Sequence, residues 1–318
     1  MKTQKNKTKE IVSFILLFTI IPLLLIPGLT FVINKTASEI IDFFFAFGVS
    51  ALMLYAMYEL IFAVKTSRKI DFNDKTLNDQ ERSQMTQPDT QSWIAFAILA
   101  LLYALAFLFI TISFILNFNE AINIKTTFLT MAFIFIIANM IFVFLEEFSS
   151  SEQLLITGIT SLIFLFAIAL VFVTIYYSFA ILFFVLVTTA ISDMSAFFVG
   201  KKIGKRKVVP SISPNKTLEG FIGAFLISLT FALVWYLIFI MPRYSSNYLF
   251  HKPELIKLIA LMILIPVTAP IGDLFFSKVK REYDIKDFGK IIPGHGGILD
   301  RIDSHIFTLS LTMIILLI

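Results

Sequence analysis

Cysteine is absent from this chain of 318 residues, which excludes disulfide bonds, thiolate nucleophiles and cysteine-ligated metals. Charge is scarce as well: Asp, Glu, Lys and Arg make up 15% of residues, against 58% that are hydrophobic, and the mean hydropathy is +0.88. A water-soluble domain of this length has no core large enough to hide that much apolar surface, so a membrane protein is expected. No internal repeat with the spacing of a transporter's inverted halves stands out. A small-residue cleavage site is also missing after the apolar run 11–33, which reads as a retained first span and not as a signal peptide.

What is present is a series of apolar runs. A helix needs about 20 residues to cross a hydrocarbon core, and runs of that order fall at 11–33, 40–64, 93–116, 126–145, 153–173, 178–199, 219–241, 255–276 and 298–318. The stretch 154–199 is twice the length of one span, with only the weak break Thr174 to Ser178 inside it, and is divided into two. Backbone polar groups in lipid must pair within their own segment. The expected fold is therefore all-α, a polytopic membrane helix bundle of about nine transmembrane helices. Residues 1–150 form an N-terminal region of about four helices with a polar loop at 65–92. Residues 151–318 form a C-terminal catalytic region of about five helices with loops at 200–218 and 277–297.

The net charge of +4 could serve a nucleic acid, but its placement follows the loops. With Arg301 set aside at a helix mouth, twenty Lys and Arg residues fall in the N-terminal tail and alternate loops, against five on the other side: Lys35, Lys125, Arg243, Lys252 and Lys257. By the positive-inside rule the N-terminus and the loops 65–92, 200–218 and 277–297 are expected in the cytoplasm of a multi-pass cell-membrane protein, and the C-terminus outside. The loop 65–92 mixes five bases with Asp71, Asp74, Asp79, Glu81 and Asp89 and reads as a solvated segment.

Chemistry concentrates between Ile271 and Ser304. Asp273 lies within an apolar run, where an ionised carboxylate is costly unless it is paired or bound to a cation. Asp300 and Asp303 share one helix face. Asp273 and Asp300 can converge on a metal, with Asp303 nearby and Asp287 as a further acid; oxygen ligands without cysteine favour Mg²⁺ over zinc. Between the acids stand Lys278, Lys280, Arg281, Lys286 and Lys290, then His295 flanked by Gly294, Gly296 and Gly297. Glycines there leave N–H groups free at the start of the last helix, a setting suited to phosphate. A basic loop that obeys the topology rule, with His295 in a turn, accounts for the same residues without chemistry. Upstream, Asp193, Ala196 and Gly200 lie on one helix face, open to a neighbouring helix or to a ligand.

The residues Ser277, Val279, Lys280-Arg281, Lys286-Asp287, Gly289, His295-Gly296-Gly297, Asp300-Arg301 and Asp303 resemble, without departure, the signature of the phosphatidate cytidylyltransferase family. Gly204, Lys205, Pro210, Ser213-Pro214, Lys216-Thr217 and Glu219-Gly220 resemble its second block. Departures occur at Asn215, where many relatives carry Lys or Gly, and at Phe197, where Tyr is common. Glu59, inside the second span, resembles a Glu often found there in the family; a helix-packing hydrogen bond and a catalytic role both account for it. The resemblance is specific over roughly the C-terminal 130 residues and general elsewhere.

The resemblance implies transfer of the cytidylyl group of CTP to phosphatidate, giving CDP-diacylglycerol and pyrophosphate. The catalytic residues it implies are Lys280, Arg281, Lys286, Asp287, His295, Asp300, Arg301 and Asp303. Substrate binding falls to Asp193, Ser213, Lys216, Thr217, Gly296 and Gly297, and metal binding to Asp273 and Asp300. The implied cofactor is Mg²⁺, with room for a second or a monovalent cation. The partners are CTP, phosphatidate and the lipid bilayer, with no nucleic acid and with a homodimer as an assembly to test. A CTP-dependent polyprenol or phytol-type lipid kinase would use similar phosphate chemistry, and a secondary transporter would also carry intramembrane acids.

Overall fold

The computed structural model describes residues 35–69, 90–115, parts of 129–140, 149–240 except 178, 252–291 and 296–318. Besides the helical parts of 129–140, the described α-helices are α1 (Lys35–Lys69), α2 (Thr90–Ile115), α3 (Ser150–Phe172), α4 (Phe179–Ile203), α5 (Leu218–Trp235), α6 (Lys252–Glu282) and α7 (Leu299–Leu317). No β-strand occurs among the described residues, and the all-α expectation holds; an isolated bridge joins Lys207 to Thr217.

Five described helices are long and apolar enough to cross a membrane: Asp42–Val64, Ser150–Tyr177, Ala180–Ile203, Leu218–Phe239 and Leu255–Glu282. α2 contributes a shorter apolar stretch, Phe96–Ile112, and α7 carries Asp300, Arg301 and Asp303 at its start. The expected number of nine spans is not confirmed. The run 11–33 and residues 70–89 of the loop 65–92 lie outside the described residues, and 126–145 is described only in part, as helix. The division of 154–199 does appear. α3 ends in a π-helical turn, Val173–Tyr177, at the weak polar break, and α4 starts afresh at Phe179.

Local chemistry explains the helix ends. α3 opens on Ser149, whose N–H and hydroxyl both donate to Glu152 Oε2 at 2.9 Å, a capping arrangement spanning three residues. α5 opens on Thr217, whose hydroxyl accepts from Gly220 N at 3.1 Å. α6 runs through Pro266 and Pro270. Pro270 has no N–H to give to the carbonyl of Pro266, and Ser192 Oγ donates to that carbonyl instead, at 3.4 Å.

The described chain divides into two units. One contains Glu39–Ile168 and Lys280–Arg301, the other Ala169–Val279 and Ile302–Ile318. In the first, Tyr103 of α2 bonds Ser161 of α3 at 2.9 Å. In the second, α4 and α5 pack closely. The buried face of α5 is Gly220, Ala224, Ser228 and Ala232, a small residue at every fourth position, which lets two helices approach without a hydrophobic driving force between them. Outward from that face, Ile222, Leu226 and Leu233 are exposed, as suits a helix solvated by lipid.

Candidate active site

In the second unit, the loop between α4 and α5 is folded, not merely solvated. Leu218 N donates to Arg206 O at 2.8 Å and Val208 N to Lys216 O at 3.1 Å, drawing the two ends of the loop together. Glu219, in the first turn of α5, accepts from Lys205 N at 2.9 Å and Arg206 N at 3.1 Å. Charged acceptors of this kind make the stronger backbone hydrogen bonds. The loop thereby presents Ser213, Asn215, Lys216 and Thr217 to a pocket completed by Asp193, Ala196 and Phe197 of α4, Phe221 of α5, and Pro270 and Asp273 of α6. Its cavity volume is about 170 Å³.

Within the pocket Lys216 Nζ lies 2.6 Å from Asp273 Oδ2, an ion pair without the alignment of a hydrogen bond. The second oxygen of Asp273 accepts from Ser277 Oγ at 3.2 Å. Asp193 adds a second carboxylate to the lining. Thr217 spends one lone pair on the α5 cap and keeps its O–H to donate. The lining thus combines apolar side chains with one cation, two carboxylates and hydroxyls.

In the first unit, the turn that precedes α7 is held by two carboxylates. Asp300 takes the Lys280 ammonium on Oδ1 at 2.9 Å, and on Oδ2 the N–H groups of Phe288 at 2.8 Å and Gly297 at 2.9 Å. Lys280 is buried and also stands over the Phe288 ring, 5.5 Å from its centroid. Glu59 of α1 accepts from Ile298 N at 3.1 Å and Leu299 N at 2.8 Å. The glycines now have physical reasons. Gly296 has φ +84°, where a side chain is strained, and a Cβ there would stand 2.9 Å from Asp300 Oδ2 and 3.1 Å from Asp287 Oδ1. At Gly289 and Gly297 a Cβ would run into the Glu59 carboxylate.

These contacts revise one expectation. The N–H groups of Gly297, Ile298 and Leu299 do not stand free for phosphate; carboxylates of the chain itself occupy them, because Ile298 before the helix has no side-chain acceptor with which to cap it.

The pocket gathers Asp193, Ser213, Lys216, Thr217 and Asp273; the turn gathers Lys280, Asp287, Gly296, Gly297 and Asp300. Arg281, Lys286, Asp287 and Arg301 are exposed, and Arg281 Nη1 donates to Ile285 O at 3.2 Å. Asp303 is buried and accepts from Ser304 N at 2.8 Å. His295 lies outside the described residues. Sequence reading left the role of Glu59 open between two alternatives and did not single out Glu219 for binding the loop amides, or Phe221 and Pro270 as pocket walls. An acid inside an apolar span was the available signal for Glu59; the other three look like ordinary helix residues.

Among the described residues no three His, Cys, Asp or Glu side chains gather to hold a metal ion. The oxygen donors nevertheless fit magnesium, which takes one or two carboxylates and completes its shell with phosphate and water. The Asp273 side chain is 34% exposed and faces the pocket.

A sequence model described as the cytidylyltransferase family matches residues 7–318. A protein of Bacillus subtilis named phosphatidate cytidylyltransferase is 42% identical over 133 residues, covering 42% of this chain and 46% of that protein. Proteins of the same name from Staphylococcus saprophyticus and Staphylococcus aureus are each 39% identical over 127 residues, covering 40% of this chain and 45% of theirs. The chain thus spans a little under half the length of these curated relatives.

Proposed function

The chain belongs to the cytidylyltransferase family, and from that premise we propose that it transfers the cytidylyl group of CTP to phosphatidate, giving CDP-diacylglycerol and pyrophosphate. The relatives that bear the name of this activity support the reading. The observation that carries it is the pocket in which the Lys216–Asp273 pair and Asp193 meet Phe197, Phe221 and Pro270 on helices long enough to span a membrane. Such a pocket suits a ligand whose phosphate is polar and whose remainder is lipid.

In the reaction a phosphate oxygen of phosphatidate forms a bond to the α-phosphorus of CTP, the bond from that phosphorus to the bridging oxygen breaks, and pyrophosphate leaves with the electron pair. The lipid phosphate is already a nucleophile at neutral pH, so a chain without cysteine lacks nothing for the step. Repulsion between two polyanions is the main obstacle, and positioning with charge compensation removes it. Lys216 offers its ammonium in the pocket, while the exposed Arg281, Lys286 and Arg301 draw in a water-soluble triphosphate. Lys280 compensates Asp300 and steadies the turn. Magnesium is the proposed cofactor, with Asp273 in the pocket and Asp300 in the turn each proposed as a ligand by itself; when bound it would neutralise phosphate charge and polarise phosphoryl oxygens. Both acids are paired with lysine in the structure, so each already sits in a place that stabilises a facing positive charge. The loops 200–218 and 277–297 are proposed to face the cytoplasm of a multi-pass cell-membrane protein, where CTP is made available.

The test is incubation of the purified protein in detergent with CTP labelled in its cytidine, phosphatidate and Mg²⁺, followed by identification of products. Labelled CDP-diacylglycerol and free pyrophosphate are expected. No turnover with phosphatidate, but release of labelled CDP and a phosphorylated lipid when a polyprenol or phytol is supplied in its place, would overturn the assignment in favour of a kinase.

A further inference from the structure

Glu59 lies in the apolar span Asp42–Val64 and is 3% exposed. A carboxylate in such a place persists only where charge-assisted hydrogen bonds replace its water. Both of its oxygens are used, on Ile298 N and Leu299 N, 239 and 240 residues away along the chain. The same turn is gripped again by Asp300, through Phe288 N and Gly297 N. Gly289 and Gly297, one on each arm of the loop, abut the Glu59 carboxylate, and a side chain at either would displace it. Two carboxylates on different helices therefore share one loop: Glu59 fixes the backbone at Ile298 and Leu299, which lies between Gly297, whose N–H Asp300 accepts, and Asp300 itself, so a shift of Glu59 moves Asp300 and, through it, the Lys280 ammonium at 2.9 Å.

A helix that needs only a cap takes one from nearby, as α3 does with Ser149 and Glu152. α7 has Gly296, Gly297 and Ile298 before its first residue and imports its cap from α1. We infer that Glu59 is a positioning residue for the proposed cytidylyl transfer, making α1 part of the reaction machinery and not only a membrane anchor. The inference rests on the functional proposal above. Glu59 touches no reacting atom in this account; it acts by holding the Gly297–Leu299 turn and so the Asp300–Lys280 pair.

The experiment compares the full chain with Glu59→Gln, Glu59→Ala and, as a control, Glu152→Gln, each purified in detergent and normalised to folded protein by size-exclusion chromatography. Gln keeps one acceptor oxygen and Ala none, so kcat should fall in the order Glu, Gln, Ala. The loss in Glu59→Ala should be roughly 10- to 100-fold, the range for residues that orient a ligand-bearing group, and KM for CTP should change less than kcat. Glu152→Gln, which loosens a helix cap of its own, should lower thermal stability and leave kcat per folded molecule at the parent value.

Folded Glu59→Ala protein with the parent's kcat would overturn the inference. If the parent forms no CDP-diacylglycerol, the functional proposal fails, and the positioning role is read instead from thermal unfolding. Gly297 has no left-handed φ, so Gly297→Ala probes contact alone. It should lower the melting temperature in the parent and add little in the Glu59→Ala background, where the methyl has room. Additive shifts would show that Glu59 does not hold the turn and would sink the proposal.

Discussion

Lys216 Nζ stands 2.6 Å from Asp273 Oδ2, joining the loop before α5 to α6 inside one pocket. A charge-assisted contact of this kind to a phosphate is worth roughly 1.5–3 kcal/mol, or about ten- to a hundredfold in kcat/KM. Lys216→Ala should lower kcat/KM for CTP by that factor, and Asp273→Asn should abolish turnover while leaving Lys216 in the pocket without its counter-charge. Steady-state assays of product formation check both. If the two variants match the parent, phosphate handling takes place elsewhere.

Asp300→Asn should lose activity with the protein still folded in the membrane. Each oxygen of Asp300 accepts from a donor, Lys280 on one side and two backbone N–H groups on the other. An amide must turn its NH₂ toward one of them, so the shape is kept and a donor faces a donor. Asp71→Asn, in the polar segment 65–92, should leave turnover unchanged. Near-normal activity of Asp300→Asn at limiting Mg²⁺ would remove both the metal assignment and the orienting role of the turn.

Arg281→Lys and Arg301→Lys should each reduce kcat/KM for CTP although the charge is kept. A planar guanidinium bridges two phosphate oxygens and an ammonium cannot. Both arginines are exposed, so the change tests ligand contact more than packing. Parent-like kinetics for both, together with parent-like Lys280→Ala, would leave the segment 277–303 as a topology signal.

The absence of cysteine makes orientation directly testable. Lys207 is exposed in the loop between α4 and α5, and a membrane-impermeant thiol reagent should label Lys207→Cys only after intact cells are opened. Labelling from outside would reverse the proposed topology and place the pocket loop on the wrong side for CTP.

Class, helix content and the signature were readable from the residues alone, because each depends on local information. Hydropathy over some twenty residues decides whether a segment suits lipid. The polar break at Thr174 to Ser178 was enough to part α3 from α4, since a single helix of that length has no place in a bilayer. The cluster from Ser277 to Asp303 pointed to phosphate chemistry through the types and spacing of its residues. Spacing also placed Asp193, Ala196 and Gly200 on one face, and the fold uses that face both ways, for α5 near Gly200 and for the pocket at Asp193 and Ala196.

Tertiary structure decided the partners. The second block picks out Lys216 among the bases of its loop, but only the fold sets it against Asp273 of α6. The glycines before α7 looked like a phosphate cradle, yet they are where Glu59 and Asp300 press against backbone and take the N–H groups for themselves. Hydrogen bonds form between whatever groups the fold brings within about 3 Å, and a pair 240 residues apart leaves no periodicity to read. An acid inside an apolar span tells that a partner exists; which backbone amides it meets is settled when the helices pack.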